Sequence, residues 1–463
     1  APRGPPRRTQ PGAAALAEPA QRTSLTLWVN ETSPAHAQVV NDVVAAFEAA
    51  YPAAVEVRLV APALLPRLME TAAISDSLPL PDLVLHPVAY TAGWVAQGIL
   101  DAAAADTAVS ALDPATFDAD ALALVTVDGQ AAAIPSDGYQ QLILYRTDWF
   151  ADRGMAPPDT YDALLAAAET LYDRENLVAG FVVPTESNLV TTQQIFEQLA
   201  VANGCQLIDV DGRVRLLEPA CQTALDFYYT IIHNYSPIGV QTDTSTRNAY
   251  LFGRAGLVMT SPGILPQLAG LDPAALPTCA GCSGTFLADN TGILTTVRGS
   301  GPQAAPASLS NLTALGITRA AETETAVAFA EFWFENGYES WLRVETERKV
   351  PLRLGTPDAP RRFIDAWGSY PLAGSARTLA QLYGEEVVAQ LRTGVASSDR
   401  WGLNVGQGSL ITRLYTDLTL SVVLQEMLSG YFNPADTLVE AYIRVIDLIP
   451  NYAYDLDLEQ DEP

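Results

Sequence analysis

The stretch that decides the fold reads SLTLWVNETSPAHAQVVNDVVAAFEAAYPAAVEVRLV and occupies residues 24–60. Residues 24–29 form an apolar run that predicts a strand, and the polar residues NETSP predict the turn after it. Four valines and Phe47 then recur at helical spacing, which predicts a helix that Pro52 ends. Residues 55–60 predict a second strand.

The same alternation continues downstream. A short helix is predicted near residues 64–74, a buried strand at 81–86 and a further helix at 89–100. Strands that alternate with helices predict an α/β domain, in which a parallel sheet carries helices on both faces. Ligands of such sheets bind beyond the carboxyl ends of the strands. The pattern therefore indicates a candidate site at residues 30–33 and 86–90.

Length and charge narrow the class of protein. The chain has 463 residues, and two domains are predicted because single cores stop growing near ~250–300 residues. No apolar run reaches the roughly 18 residues that a membrane span needs. With 53 acidic and 26 basic residues the net charge is −27, which disfavours binding to nucleic acid or anionic membranes. The acidity is also explained as an aid to the solubility of an exported protein.

Both ends of the chain have compositions unlike those of the predicted domains. Residues 1–22 are rich in Pro, Ala and Gly and are predicted to be a disordered linker. A segment of this composition is typical of a protein tethered to a surface. It is equally typical of a disordered terminus without a further role. Residues 456–463 are predicted to be an acidic tail.

Four cysteines suit an oxidising compartment. Cys205 and Cys221 flank a predicted hairpin with Asp211-Gly212 at its turn, so a disulfide between them is expected. Cys279 and Cys282 form a CxxC within loop sequence. This motif can be redox-active or half of a zinc site, but the three histidines show no metal-ligand spacing. A local structural disulfide is favoured.

After residue 120 the pattern changes. Residues 124–133 predict a hairpin, residues 134–138 predict a bend, and the apolar strand after that bend is the first candidate crossing between two lobes. Residues 286–296 predict a strand that returns the chain to the first lobe. Residues 349–352 are the third candidate crossing, and the remainder is predicted to be mainly helical.

The order of these segments resembles the extracellular solute-binding proteins of ABC importers, in particular the sugar-binding, maltose-binding-protein-like group. The matching stretches include LTLWVNETSP, PDLVLHPVAYTAGWVAQGIL, IPSDGYQQLILYRTDWF, YLFGRAGLVMTSPG and ETAVAFAEFWF, and they span roughly residues 24–447. The resemblance implies a two-lobed periplasmic-binding-protein-like fold of type II, with mostly parallel sheets, three crossings and a ligand cleft. It implies an N-terminal lobe of residues 23–134 plus 286–348 and a C-terminal lobe of residues 135–285 plus 349–455.

The resemblance also implies capture of a carbohydrate, a mono- or oligosaccharide, and its delivery to the transmembrane subunits of an ABC permease. The expected protein is an extracellular or periplasmic monomer, tethered to the membrane outer face as a lipoprotein. One departure concerns the ligand: where the family usually has a tryptophan, this chain has Thr260-Ser261-Pro262.

Sugars present flat apolar faces and many hydroxyls, which aromatic rings and planar polar groups bind. Residues of these types at predicted strand ends, crossings and glycine-rich loops are the candidate ligand contacts: Asn30, Glu31, Ser33, His86, Tyr90, Asp137, Tyr139, Asn188, Ser261, Asp289, Asn290, Trp401 and Asn404. For His86, a structural role at the end of a buried strand is an equal alternative.

An enzyme is not expected. Glu31, Asp82, Asp137 and Asp289 could supply paired carboxylates for glycoside hydrolysis, but nothing fixes the separation of a pair. No nucleophile elbow, phosphate-binding loop or zinc motif is present, and neither a cofactor nor a metal is expected. The alternative to a carbohydrate ligand is another solute, such as a polyamine bound by acidic residues, or a role as a sensor. Few arginines are predicted at the cleft, which disfavours an anionic ligand.

Overall fold

A computed structural model describes residues 23–398 and 400–452, and two separate β-sheets organise them. The strands, numbered along the chain, are β1 Thr23–Val29, β2 Ala53–Leu59, β3 Leu83–Pro87, β4 Thr126–Val127, β5 Gln130–Ala131, β6 Ile134–Gln140, β7 Leu142–Arg146, β8 Ala179–Val182, β9 Ala255–Thr260, β10 Thr291–Leu294, β11 Ser310–Ile317 and β12 Val350–Pro351. A six-stranded sheet has the order β12-β6-β11-β3-β1-β2, and a four-stranded sheet has the order β10-β7-β9-β8. Strands β4 and β5 form the predicted hairpin.

Helices cover both sheets. They are α1 Pro34–Ala50, α2 Leu65–Ile74, α3 Thr91–Ala96, α4 Ala102–Ala111, α5 Ala119–Val125, α6 Thr147–Asp152, α7 Tyr161–Leu171, α8 Val190–Ala202, α9 Pro219–Tyr235, α10 Asp243–Leu251, α11 Leu265–Leu268, α12 Phe286–Asp289, α13 Thr323–Phe332, α14 Tyr338–Leu342, α15 Arg362–Ala366, α16 Leu379–Arg392, α17 Gly408–Thr416, α18 Thr419–Leu428 and α19 Pro434–Asp447. Within residues 23–398 and 400–452, no helix combines the length and the apolar composition that crossing a membrane requires.

The segment from β1 to β3 folds as the alternating pattern predicts. Strand β1 pairs in parallel with β2 and β3, because helical crossovers join these three strands. Ser33 caps α1 by accepting a hydrogen bond from the backbone N–H of His36. Phe47 on the buried face of α1 lies edge-on to Phe329 of α13, with ring centroids 5.0 Å apart. The sheet is thereby fixed between helices, and the carboxyl ends of β1 and β3 stay open.

The α/β class is confirmed, but both sheets are mixed rather than mostly parallel. In the six-stranded sheet β11 runs antiparallel to β3 and β6, and β12 runs antiparallel to β6. In the four-stranded sheet β7 runs antiparallel to β9 and β10, while β8 and β9 are parallel. The chain passes between the sheets from β6 to β7 and from β10 to β11. No helical crossover within one sheet joins these strands, so they need not run parallel to their neighbours.

Two predictions of local structure are wrong. Residues 134–138 are not a bend but most of β6, because β11 and β12 pair with them from both sides. The register of β6 with β11 shifts between Thr313 and Ala314, next to Pro135, which has no backbone N–H to donate. Residues 286–296 are not a returning strand either: they begin as α12, and β10 pairs with β7 in the four-stranded sheet. The chain returns at β11 instead.

Three crossings join the two sheets. The chain leaves the six-stranded sheet after β6 and returns at β11. Strand β12 pairs with β6, yet the later helices α18 and α19 pack on α8 and α9, beside the four-stranded sheet. The third crossing therefore follows β12. The predicted lobe boundaries at residues 135, 286 and 349 do not coincide with the sheets, and the extent of each lobe remains a prediction.

The two predicted disulfides, Cys205–Cys221 and Cys279–Cys282, are both present. The first closes the turn in which Ile208 and Val214 form an antiparallel bridge. The predicted linker of residues 1–22 and the acidic tail of residues 456–463 lie outside the described residues.

Candidate functional site

A cleft between the two sheets contains two adjoining compartments. The first has a volume of about 270 Å³ and includes the residues that follow β1 and β3. The second has a volume of about 620 Å³ and includes Ser261, Gln267 and Glu347. Five residues line both compartments, and we call them the dividing wall: Tyr139, Thr191, Asp243, Asn311 and Arg348.

Both halves of the molecule contribute to the dividing wall. Tyr139 lies on β6 and Asn311 on β11 of the six-stranded sheet, whereas Thr191 and Asp243 lie on α8 and α10 beside the four-stranded sheet. Arg348 ends the 3-10 turn before β12, and its guanidinium lies 5.5 Å from the centroid of the Tyr139 ring. A solute held against the wall would contact both halves of the molecule, which is the arrangement that hinge closure needs.

Arg348 also organises the charges at the wall. Its guanidinium lies 3.4 Å from Oε1 of Glu31 and 2.8 Å from Oε2 of Glu345. Burial lowers the pKa of Arg348, but the neighbouring Glu31, Tyr139 and Glu345 raise it by more. The pKa therefore lies well above its ordinary value. The one positive charge of Arg348 therefore offsets part of the negative charge of the two carboxylates.

His36 completes this network without carrying charge. Its pKa is lowered to about 3, first by burial and then by Lys349. Its Nδ1 lies 2.7 Å from Oγ of Ser33 and 3.8 Å from carboxylate oxygens of both Glu31 and Glu345. The spacing of these three groups could hold a metal, but Arg348 and the nearby Lys349 already balance the carboxylates. The cluster is better described as an ion-pair network.

Several residues that line the cleft have a buried polar atom without a hydrogen-bond partner in the described part of the chain. They are Oδ1 of Asn30, Oγ of Ser310 and Oγ1 of Thr416 in the first compartment, Oε1 of Gln141, Oε1 of Gln267 and Oε2 of Glu347 in the second, and Oγ1 of Thr191 in both. Four of the seven are amide or carboxyl oxygens, which accept, and three are hydroxyls, which can donate or accept. Because buried polar groups are normally satisfied, these atoms favour a ligand that brings hydrogen-bond donors.

Two carboxyl groups of the cleft are electrostatically unusual. Burial raises the pKa of Asp243, which lines both compartments. Burial also raises the pKa of Glu347 to about 7, and Glu345 adds to the shift. Glu347 is 3% exposed. Near neutral pH it can therefore serve as either a donor or an acceptor to a hydroxyl.

A second buried ion pair borders the first compartment. Arg400 donates from Nε to Oε1 of Glu197 on α8 over 2.9 Å, and from Nη1 to the carbonyl of Ser310 over 2.6 Å. Tyr415 donates to the other oxygen of Glu197 over 2.6 Å. Because Ser310 begins β11, this network ties α8 to the six-stranded sheet near the second crossing.

The structure brings six of the predicted contacts to the cleft. Five line the first compartment: Asn30, Glu31, Tyr90, Tyr139 and Asn188. Ser261 lines the second compartment together with Tyr139. Tyrosines supply the aromatic surface, since all seven tryptophans fall within the described residues and none lines either compartment.

Seven predicted contacts lie outside both compartments. Ser33 caps α1, and Nδ1 of His86 lies 3.0 Å from the carbonyl of Pro87 in the buried core. Asp137 is buried and accepts from Nε1 of Trp341 over 2.7 Å. Trp401 donates from Nε1 to the carbonyl of Cys205 over 3.0 Å.

The remaining three line neither compartment. Asp289 is exposed and accepts from Thr285 over 2.8 Å, while Asn290 donates to the carbonyl of Phe286 over 2.9 Å. Asn404 is exposed. Sequence reasoning missed Asp243, Arg348 and Arg400, because none of them ends a predicted strand. It also expected few arginines, whereas four line the cleft: Arg67, Arg247, Arg348 and Arg400.

The fold and the cleft define a class: two-part α/β proteins with a binding site between their sheets. The model of the bacterial extracellular solute-binding protein family matches residues 42–340, and the chain belongs to that family. It is 28% identical over 197 residues to the putative ABC transporter periplasmic-binding protein YcjN of Escherichia coli K12. That match covers 42% of this chain and 45% of YcjN, so it spans less than half of the curated relative.

Solved structures share the fold over nearly the whole chain. Maltose-bound MalE3 of T. maritima superposes with a TM-score of 0.69 at 17% identity, covering 92% of this chain and 100% of MalE3. The GacH receptor of Streptomyces glaucescens superposes with a TM-score of 0.70 at 16% identity, covering 94% and 100%. A sugar transporter protein of Arthrobacter chlorophenolicus with bound laminaribiose superposes with a TM-score of 0.69 at 13% identity. The superposition covers 92% of this chain and 99% of that protein.

Proposed function

We propose that this chain is the substrate-binding component of an ABC transporter, which captures a carbohydrate in the cleft and delivers it to a membrane permease. The observation that carries the proposal is the dividing wall, whose residues come from both halves of the molecule and line two compartments. Closure of the two halves on a solute would bury it against Tyr139, Asp243 and Arg348. The relation to YcjN supports the transporter role.

The charges of the cleft support a neutral ligand over a polyamine. Glu31 and Glu345 are paired with Arg348. Of the other acids expected to attract a cation, Asp137 is buried beside Lys349, and Asp289 lies outside the cleft. The unpartnered acceptors support a ligand rich in hydroxyl donors, as sugars and polyols are. The structural neighbours bind maltose, laminaribiose and D-mannitol.

The arginines of the cleft do not overturn this preference. Arg348 and Arg400 each have carboxylate partners. Arg67 and Arg247 line different compartments, so they do not form one anion-binding cluster. Phosphorylated sugars are therefore a weaker candidate class, and the screen below includes one.

The proposal extends to the setting of the protein. We place it outside the cytoplasm as a monomer, tethered to the membrane outer face as a lipoprotein, with a permease as its macromolecular partner. It binds its solute and does not transform it. The lobe that holds the six-stranded sheet and the lobe that holds the four-stranded sheet would move about the three crossings.

A thermal-shift screen tests the ligand class. A ligand that binds only the native state raises the melting temperature, with about 2.7 kcal/mol of stabilisation at 100 times Kd. We expect a shift with at least one of maltose, laminaribiose and D-mannitol, and none with spermidine or glucose 6-phosphate. A shift with spermidine alone would replace the carbohydrate with a polyamine. The matched control is Asn404→Ala, which lies outside both compartments and should keep the sugar response.

A further inference from the structure

One C-terminal helix packs on a different half of the molecule from the helices that follow it. Helices α18 and α19 lie beside the four-stranded sheet, where they pack on α8 and α9. Helix α17 instead packs on α3 and on the 3-10 turn Val88–Tyr90, which directly follows β3 of the six-stranded sheet. The chain therefore visits the half that holds the six-stranded sheet, the six-stranded half, again after its third crossing.

Helices α17 and α3 pack closely. A Cβ atom at Gly93 on α3 would collide with the side chain of Thr412 on α17. A Cβ atom at Gly408 on α17 would lie 2.7 Å from Cβ of Ala92 on α3. The two glycines therefore permit an approach of the helices that larger residues would prevent. Because closely packed elements have low compressibility and transmit strain, this interface favours movement of α17 and α3 as one unit.

Thr412 joins α17 to the segment that follows β3. Its side chain is fully buried, and its hydroxyl accepts a hydrogen bond from the backbone N–H of Gly93 over 3.2 Å. The hydroxyl oxygen lies 2.9 Å from the carbonyl oxygen of Ala89 and 3.1 Å from that of Gly408, either of which can accept its one proton. Separation of the two helices would break the hydrogen bond from Gly93.

The hydrogen bonds of α17 to the other half have a different character. Tyr415 in the last turn of α17 donates to Oε2 of Glu197 on α8 over 2.6 Å, beside the start of β11 where the chain crosses between the sheets. A rotation about the crossings displaces the groups nearest to them least. Arg413 donates to the carbonyl of Leu448 over 2.6 Å, but this contact is exposed and is made by a long side chain. Neither hydrogen bond requires α17 to move with the four-stranded sheet.

The connection from α17 to α18 has the form of a hinge. It consists of Asp417 and Leu418 alone. Leu418 adopts the left-handed conformation, with φ 55° and ψ 33°, which interrupts the right-handed helical path between the two helices. Hinges are a few residues at the ends of elements that absorb a change in backbone angles. Helices α17 and α18 can therefore follow different halves of the molecule.

We infer that α17 moves with the six-stranded half, that its connection to α18 is a further hinge, and that Thr412 is the positioning residue that holds α17 on α3. The inference goes beyond the proposed function, because it assigns part of the C-terminal region to the six-stranded half. Tyr415 and Thr416, which line the first compartment, would then stay fixed relative to Tyr90 while the cleft opens and closes.

Distances between pairs of spin labels, measured by pulsed electron–electron double resonance, test this assignment. The labels are attached to cysteines introduced in pairs at three exposed positions: Ser110 on α4 of the six-stranded half, Glu169 on α7 beside the four-stranded sheet, and Ser409 on α17. The four natural cysteines are paired in disulfides and do not react. With the sugar that gives the largest thermal shift, we expect both distances from Glu169 to change by more than about 2 Å, while the distance between Ser409 and Ser110 stays constant.

A change in the distance between Ser409 and Ser110 on closure would overturn the inference, because α17 would then leave the six-stranded half. The same pairs are informative without a ligand: the distribution of distances between Ser409 and Ser110 should be narrow, and the two distributions from Glu169 should be broad. Three equally narrow distributions that no sugar shifts would also overturn the inference. The thermal-shift screen tests the proposed function separately. If no sugar gives a shift, that proposal fails, and the ligand-free distributions still decide the inference.

Substitutions at Thr412 test the positioning role. Thr412→Val keeps the shape of the side chain and removes its hydroxyl, so the distribution of distances between Ser409 and Ser110 should broaden. Thr412→Ser keeps the hydroxyl and should restore the narrow distribution. The matched control is Thr437→Val on α19, which removes a buried hydroxyl that donates to the carbonyl of Asn433 over 2.7 Å and should leave the distribution unchanged. An unchanged distribution in Thr412→Val would contradict the role given to this hydroxyl.

Discussion

Nε of Arg400 lies 2.9 Å from Oε1 of Glu197, and both side chains are buried between the two sheets. Because Arg400 also donates to the carbonyl of Ser310, the pair links α8 to the start of β11. Removal of one partner of a buried pair leaves the other charge without compensation, which typically costs about 3–5 kcal/mol. The pair therefore stabilises the region in which the chain crosses between the sheets.

Arg400→Met should lower the free energy of unfolding by about 3–5 kcal/mol, measured by urea denaturation. The matched control is Arg361→Met, which breaks the exposed pair of Arg361 with Asp365, 2.8 Å apart. Exposed pairs contribute at most about 1 kcal/mol, so this variant should unfold close to the wild-type midpoint. Equal effects of the two substitutions would contradict the structural role given to Arg400.

The ionisation of Glu347 should make the stability of the protein depend on pH. Its pKa in the folded protein, about 7, exceeds the ordinary value of 4.5 because burial disfavours the charged form. Between these values the native state keeps a proton that the unfolded state releases, so stability falls as the pH rises from 4.5 through about 7. Glu347→Gln mimics the protonated form and removes this loss.

We expect Glu347→Gln to stabilise the protein at pH 8 by up to about 3 kcal/mol and to change little at pH 4. Melting temperatures across this pH range provide the measurement, and the exposed Glu175→Gln serves as the control. A Glu347→Gln protein whose melting temperature follows the wild type at every pH would show that Glu347 ionises normally in the folded state.

The two disulfides should stabilise the folded protein to different extents. Cys205 and Cys221 are 16 residues apart, whereas Cys279 and Cys282 are 3 apart. Loop-closure entropy gives about 3 kcal/mol for the longer loop and about 1.5 kcal/mol for the shorter one. The double substitution Cys205→Ser with Cys221→Ser should therefore lower the unfolding midpoint more than the corresponding change at 279 and 282. The reverse order would contradict this reasoning.

Local periodicity predicted the elements from β1 to β3, and with them the placement of Asn30 and Tyr90, because a strand end fixes where the next residues lie. It did not predict β6, whose Pro-Ser-Asp-Gly sequence reads as a bend until β11 and β12 pair on either side. Asp243 and Arg348 reach the cleft through the packing of a helix and a 3-10 turn on distant segments. No local pattern records such contacts.

The most direct test of the central claim, that the cleft binds a hydroxyl-rich neutral solute, is isothermal titration of the sugar with the largest thermal shift into wild type and Asp243→Ala. Asp243 lines both compartments, and hydrogen bonds to a charged acceptor contribute about 1.5–3 kcal/mol. The account predicts that Asp243→Ala raises Kd about ten- to hundredfold while Asn404→Ala leaves it unchanged. Equal Kd values for wild type and Asp243→Ala would contradict it.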